Sequence, residues 1–242
     1  MKKIMICFGL SLTMLLSACS NSATAKVNAN TIDVSASTTD EVEELANKDV
    51  ADTIQSLNDS RDVLAAKITD YNSYKENENE IKTYYENAIK ESNLLGIRLR
   101  EYAYKYAEII MNNEDTFNDK YKDLGGIYDY IYNDAGKDMF DIYDKTIQQM
   151  YDTYYDGVLD DAYDNDQVAY DEWYDAKSDA YEDWSDTKSD VYEIYSDTLS
   201  DIYEFESDLR SEVYDKDKER ATKKMNKFKK DILRLKEDAN EE

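Results

Sequence analysis

The residues best placed to bind something are acidic side chains that recur along residues 169–215. An eleven-residue segment occurs there four times without a gap, as AYDEWYDAKSD, AYEDWSDTKSD, VYEIYSDTLSD and IYEFESDLRSE. In every copy, the residues at the third, seventh and eleventh positions are acidic. Because eleven residues make three helical turns, a helix presents these positions on one face, which attracts cations. The candidate interaction residues on this acidic face are Asp175, Asp179, Asp186, Asp190, Asp197 and Asp201.

A second face of the same predicted helix is aromatic. Small or aliphatic residues at the first position, Tyr at the second and Trp173, Trp184 or Tyr195 at the fifth fall within about 100° of one another on a helical wheel. These three aromatic residues are further candidate interaction residues. Lys177 and Lys188 lie between the Trp and Tyr positions on the wheel, where they can cover the rings as cation–π pairs. A helix this rich in Asp and Ser needs a partner helix, from this chain or from a second copy.

The residue types do not support catalysis or a dedicated metal site. The sequence has no His, and its two Cys residues are both at or before position 19, so the usual nucleophiles, bases and soft metal ligands are missing. Carboxylates on an exposed helix face share one environment, whereas acid–base work needs two different ones. The acidic run at 160–166 lacks the Gly of a calcium loop. We predict no enzyme, no cofactor and no metal site.

Composition favours long helices and excludes one class of partner. The 242 residues include no Pro, six Gly and 23 Tyr, and the formal net charge is −26. A chain without Pro suits uninterrupted helices, and the negative field repels nucleic acid. We therefore predict an all-α protein with no nucleic-acid partner.

The N-terminus resembles that of the bacterial lipoproteins. Lys2 and Lys3 precede an apolar run over residues 4–16, and Leu16-Ser17-Ala18-Cys19 matches the lipobox. The resemblance implies a signal peptide over residues 1–18, cleavage after Ala18 and lipidation of Cys19, which would anchor the chain to a membrane on its extracytoplasmic face. An uncleaved signal anchor and an ordinary secretory signal are the alternatives. Residues 19–40, small and polar, are predicted to form a flexible tether.

The rest of the chain divides into four predicted helical parts. Residues 41–112 should form an antiparallel hairpin with its turn near 72–79, because two apolar patterns of similar length flank that polar stretch. Residues 113–168 form a third segment with bends or close contacts at Gly125, Gly126, Gly136 and Gly157, and a turn is allowed between Gly157 and Gln167. The repeats follow at 169–215, and a basic helix follows at 216–242. The expected fold is thus an elongated antiparallel helical hairpin followed by a long eleven-residue-repeat helix or coiled coil.

Two functions remain open from the sequence. The first is a noncatalytic structural or interaction rod at the membrane, a spacer or scaffold that self-associates or packs with a partner helix. The second is a binding module whose acidic face captures cationic peptides or polymers, polyamines or metal ions at the cell envelope.

Overall fold

The predicted all-α fold is confirmed. The computed structural model describes residue 29, residues 31–165 and residues 167–241, and all regular secondary structure in that part of the chain is helical. None of the helices described there is long and apolar enough to cross a membrane. The elements in order are α1 (Thr39–Ala65), α2 (Tyr71–Asn112), α3 (Phe117–Asp123), π1 (Ile127–Gly136), π2 (Ile142–Ile147), α4 (Gln148–Asp152), π3 (Thr153–Leu159), α5 (Asp160–Asp164), α6 (Tyr170–Tyr214) and α7 (Lys218–Glu241).

Helices α1 and α2 form the predicted antiparallel hairpin. Lys67 pairs with Glu80 beside the turn, at 2.5 Å, and Tyr102 donates to Asp49 further along, at 2.7 Å. The sequence separation between contacting residues therefore grows with distance from the turn, as it does in an antiparallel pair. The hairpin is held by a continuous apolar contact between the two helices.

The hairpin turn lies earlier than the sequence suggested. The polar stretch 72–79 is helical, and the chain turns between Ala65 and Tyr71 instead. Asp70 caps α2 through reciprocal bonds with Ser73, which satisfy backbone N–H groups that a helix start leaves free. Because Tyr71 and Tyr74 are both buried, the apolar pattern already begins there and the polar residues simply face solvent.

The third helical region, residues 117–164, is wound loosely. From Leu124 to Ala162 its buried positions advance 38 residues in ten steps, or about 3.8 residues per step. An α-helix turns every 3.6 residues, so this pattern would drift off the core. The wider turns of π1, π2 and π3 absorb the difference and keep one face inward. This winding takes the place of the predicted bends, and the alternative of a close contact is confirmed at Gly126, where the Tyr106 hydroxyl would lie 1.9 Å from an added Cβ.

Helix α6 forms as one 45-residue helix, and its partners belong to the same chain. It runs parallel to α2 with a constant offset of 101 residues, as shown by the pairs Tyr71–Glu172, Lys82–Asp183 and Arg100–Asp201. It runs antiparallel to the third helical region, and the chain reverses between the end of α5 at Asp164 and the start of α6 at Tyr170, where the allowed turn ends. A Cβ at Gly96 would lie 2.5 Å from Thr198 Oγ1, so this Gly permits the close approach of α2 and α6.

The predicted basic helix forms as α7 but folds back on α6 and does not extend the repeats. The chain reverses after Tyr214, with Lys216 in the left-handed region at a φ of 61°. The N–H of Asp217 donates to Glu212 O, and that of Lys216 to Val213 O, which closes the helix end. Asp217 then caps α7, whose Phe228 stacks on Phe205 of α6. The helices therefore lie side by side as a bundle and do not follow one another along a rod.

Part of the predicted tether is also docked. Residues 31–37 have no regular secondary structure and lie against the bundle, with Val34 partly buried. The ammonium of Lys236 in α7 is fully buried and donates to Thr31 O, Asp33 and Glu101, at 2.6 to 2.8 Å. The predicted signal peptide and Cys19 lie outside the described residues.

Candidate ligand-binding surface on α6

The buried stripe of α6 is not centred where the sequence suggested. It follows the first and eighth positions of each copy, which are Ala180, Val191, Ile202, Val213, Ala176, Thr187, Thr198 and Leu209. The eighth position was missed because it carries Thr in two copies. Thr187 and Thr198 satisfy their hydroxyls by donating to the carbonyl four residues earlier, at 2.7 Å. The stripe is displaced because α2 packs on the eighth-position side of α6 while the third helical region packs on the other.

The second-position tyrosines are exposed, so they do not lie in the buried stripe with the first-position residues of the predicted aromatic face. They are between 49% and 71% exposed and form a straight row along α6. The row spans about 66 Å at 1.5 Å per residue. This tyrosine row consists of Tyr170, Tyr181, Tyr192, Tyr203 and Tyr214. Each ring is supported on one side by another ring, in the pairs Tyr170–Tyr163, Tyr181–Trp184, Tyr192–Tyr143, Tyr203–Tyr128 and Tyr214–Tyr121, with centroids 5.4 to 6.0 Å apart.

The fifth-position rings fill the groove between α6 and the third helical region. Trp173, Trp184 and Tyr195 are partly buried and pack against Tyr163, Tyr151 and Phe140, with centroids 4.7, 4.6 and 5.4 Å apart. The indole N–H groups of both Trp residues are buried without a hydrogen-bond partner among the described residues. These rings and the rings they contact in the third helical region form one aromatic strip. The three candidates therefore hold α6 to the bundle and are not free to contact a ligand with a whole ring.

Basic side chains at the ninth position cover this strip, as predicted for Lys177 and Lys188. Their ammonium groups lie within cation–π distance of ring centroids. The contacts are Lys177 with Tyr155 at 3.7 Å and Trp173 at 5.5 Å, Lys188 with Trp184 at 4.6 Å and Tyr143 at 4.7 Å, and Arg210 with Tyr121 at 4.4 Å.

The acidic face lies on the far side of the tyrosine row. All six candidate aspartates are exposed. Arg100 of α2 holds Asp201 at 2.8 Å, whereas Asp175, Asp186, Asp190 and Asp197 have no ion pair with a described residue. Most of this face therefore presents negative charge directly to solvent.

Helix α7 covers only one end of the acidic face. Its Lys224 pairs with Asp208, and its Phe228 ring lies 3.9 Å from that of Phe205. Running antiparallel from Lys218, α7 is 24 residues long against the 45 of α6. The first two repeats therefore extend beyond its end.

The buried polar groups of the core are arranged for packing. The hydroxyls of Tyr85 and Tyr154 share a hydrogen bond of 2.6 Å, and burial raises the pKa of both well above the usual value. Within the described residues, no group of three or more His, Cys, Asp or Glu side chains is arranged to hold a metal ion. Asp160 of the acidic run is paired with Lys177, at 2.6 Å, and Asp166 lies outside the described residues.

Comparisons with family models, with curated proteins and with solved structures gave no match.

Proposed function

We propose that the protein is a noncatalytic interaction module, held at the extracytoplasmic face of a membrane by a lipid on Cys19, and that it binds its ligand on the solvent face of α6. One observation carries the proposal: along all of α6 the inner stripe is packed within the chain, while the tyrosine row and most of the acidic face have no covering element in the described structure.

The packing of α6 favours this role over a coiled coil between molecules. The buried positions of the repeats are already occupied by α2, the third helical region and α7. A second copy therefore has no apolar stripe of α6 left to pair with, and what remains outside is polar, charged or tyrosine. An outward surface of this kind recognises a ligand through charge and ring contacts.

The first ligand class that fits the acidic face is a cationic peptide or polyamine. The bundle itself provides an example, because the basic helix α7 is docked by Lys224 on Asp208. The first two repeats offer the same acidic positions without a basic partner helix. An extended cation would meet a new set of carboxylates at every eleventh residue, about 16 Å apart.

Binding of spermine and of an oligolysine to the full chain tests this role by calorimetry. Changing Asp175, Asp179, Asp186 and Asp190 together to Asn should weaken binding at least tenfold, and salt should weaken the original binding steeply. The matched control changes four exposed acids scattered elsewhere, Asp59, Glu76, Glu86 and Glu114, to their amides. Equal losses in both variants would mean that only net charge matters, and the acidic face would not be a site.

A structural spacer is the second candidate, favoured by the length of the bundle. Sedimentation of the full chain distinguishes the two, since a scaffold that self-associates should form oligomers that persist in high salt. Mass spectrometry of the membrane fraction, with Cys19→Ser as the control, tests the anchor separately.

A further inference from the structure

The tyrosine row borders one open groove, at the C-terminal end of α6. Its walls are the rings of Tyr121 and Tyr128 from the third helical region and of Tyr203 and Tyr214 from α6. The cavity has a volume of about 520 Å³, within the range of clefts that hold small organic ligands. Because Tyr203 and Tyr214 are exposed, their faces are open to a ligand.

The groove exists because the fourth repeat departs from the other three. At the fifth position, where the first three copies have Trp173, Trp184 and Tyr195, the fourth has Glu206. In the earlier copies a ring fills the space between α6 and the third helical region. In the fourth the smaller Glu206 side chain is itself buried and leaves that space empty. The groove is therefore a vacant ring position in a regular aromatic strip.

Polar groups line the floor of this vacant position. Arg210 donates from Nη1 to Glu206, at 2.8 Å, and from Nε to the carbonyl of Tyr121, at 3.1 Å. Of its five N–H donors, three are left for a ligand or water. Burial raises the pKa of Glu206, and Arg210 opposes that rise. Ser207 and Ser211 add hydroxyls that both donate and accept.

Charge narrows the ligand class. The guanidinium of Arg210 disfavours a cation in this groove, and the net charge of −26 disfavours a polyanion. A neutral ring with apolar faces and hydroxyls at its edge matches the tyrosine walls and the polar floor of the groove. A sugar ring in the chair form has that distribution, because its C–H groups point to the faces and its hydroxyls to the rim.

We infer that this tyrosine groove binds a sugar unit of a neutral glycan, seated in the vacant ring position between Tyr203 and Tyr214 with its hydroxyls on Arg210, Glu206 and the two serines. The inference rests on the proposed interaction role and names a second ligand class for it. It places this ligand away from the acidic face, so the two kinds of binding are separable.

Titration of the full chain with chitohexaose and with cellohexaose, followed by calorimetry, tests the groove. We expect binding of at least one oligosaccharide that changes less than twofold between low and high salt, because the ligand is neutral. The decisive variant is Glu206→Tyr, which restores the ring found in the third repeat and should reduce binding at least tenfold while the helical signal and melting temperature are kept.

A double substitution of two exposed residues tests the groove without a change to a buried side chain, so that a loss of binding is not caused by misfolding. Tyr203→Ala with Tyr214→Ala should also weaken binding at least tenfold, whereas the matched pair Tyr170→Ala with Tyr181→Ala, from the same row, should leave it within twofold. Absence of binding to both oligosaccharides, or equal losses in the two pairs, would overturn the groove assignment. If the groove assignment fails but spermine binding depends on the acidic face, the proposed function still stands. If, in addition, the control variant of the acidic face loses spermine binding as much as the acidic-face variant does, the proposed function fails as well.

Discussion

The two halves of α6 have the same repeat but different neighbours. At the fourth position, the first two copies carry Glu172 and Asp183, and the last two carry Ile194 and Phe205. Tyr71 and Lys82 of α2 contact the two acids, whereas Phe205 is covered by the Phe228 ring of α7. The residue at the fourth position of the repeat therefore distinguishes the half of α6 on which the basic helix docks from the half whose acidic face is open.

The halves also differ in what holds them to the bundle. In the first half, Trp173 and Trp184 pack into the third helical region, and Lys177 and Lys188 lie over the rings. In the second half, ring contacts with the third helical region continue, as in Tyr203–Tyr128, and α7 adds the contact of Phe228 with Phe205. The half that lacks α7 is thus held by α2 and by the aromatic contacts with the third helical region, and its acidic face has no covering element among the described residues.

The largest effect should come from the residue that fixes the far end of α7. Lys236→Met leaves the buried Glu101 without its ion-pair partner, so we expect the free energy of unfolding to fall by about 3–5 kcal/mol in a urea titration. Lys224→Met, at the partly exposed pair with Asp208, should cost less than about 1 kcal/mol. A loss below 1 kcal/mol for Lys236→Met would show that α7 is held by apolar contacts alone.

The fourth-position comparison can be tested directly. Phe205→Ala removes a ring stacked in the second half and should lower the free energy of unfolding by about 3 kcal/mol. Asp183→Ala, the equivalent change in the second repeat, loses a single exposed pair at 3.5 Å and should cost less than about 0.5 kcal/mol. Similar costs at the two positions would contradict the difference between the halves.

The docked segment 31–37 should respond to acid. The bond from Lys236 lowers the pKa of Asp33 below its ordinary value of 3.8, with Thr31 as a second donor. A lowered pKa means that the stabilisation is present above pH 4 and is lost as pH falls through the pKa of the folded state. Because Asp33 is partly exposed, we expect less than about 1 kcal/mol. Asp33→Asn should remove that part of the pH dependence, measured by unfolding between pH 7 and pH 3.

The smallest effect concerns repulsion along the acidic face. Asp186 has acidic neighbours four residues away on both sides, Glu182 and Asp190. Asp186→Asn should therefore raise the free energy of unfolding at low salt by a few tenths of a kcal/mol, measured as a slightly higher melting temperature. Asp208→Asn relieves similar repulsion but removes the partner of Lys224, so its gain should be smaller or absent. A loss of stability in Asp186→Asn would mean that this carboxylate has a structural role.

Periodicity predicted the helices well because it depends on local spacing. The eleven-residue pattern placed α6 and its acidic face correctly, and the position of Lys177 and Lys188 on the wheel predicted their contact with the rings. The tyrosine row was grouped with the first-position residues because it lies about 98° from them on the wheel, at the edge of the zone that a packed helix buries. Which edge faces solvent depends on the neighbouring helices, which the repeat alone does not specify.

Reversals of the chain were harder to predict where no residue marks them. The turn after Tyr214 has neither Gly nor Pro, and Lys216 takes the left-handed conformation that usually favours Gly. The groove was also missed, although a signal was present, since Glu206 breaks the run of rings at the fifth position. Together with the change at the fourth position, this exception marks the fourth copy as the repeat whose packing differs from that of the first two.

The constant offset between α2 and α6 limits how such a protein can change in size. Since α6 runs beside α2 in one direction and beside the third helical region in the other, a further copy of the repeat would add three turns with nothing to cover them. Growth or loss of a unit requires matching three-turn changes in both neighbours. Homologues of different length, if the bundle is kept, should therefore differ by simultaneous insertions at three separate points of the chain, and a lone duplication in the repeats should leave a frayed, protease-sensitive end.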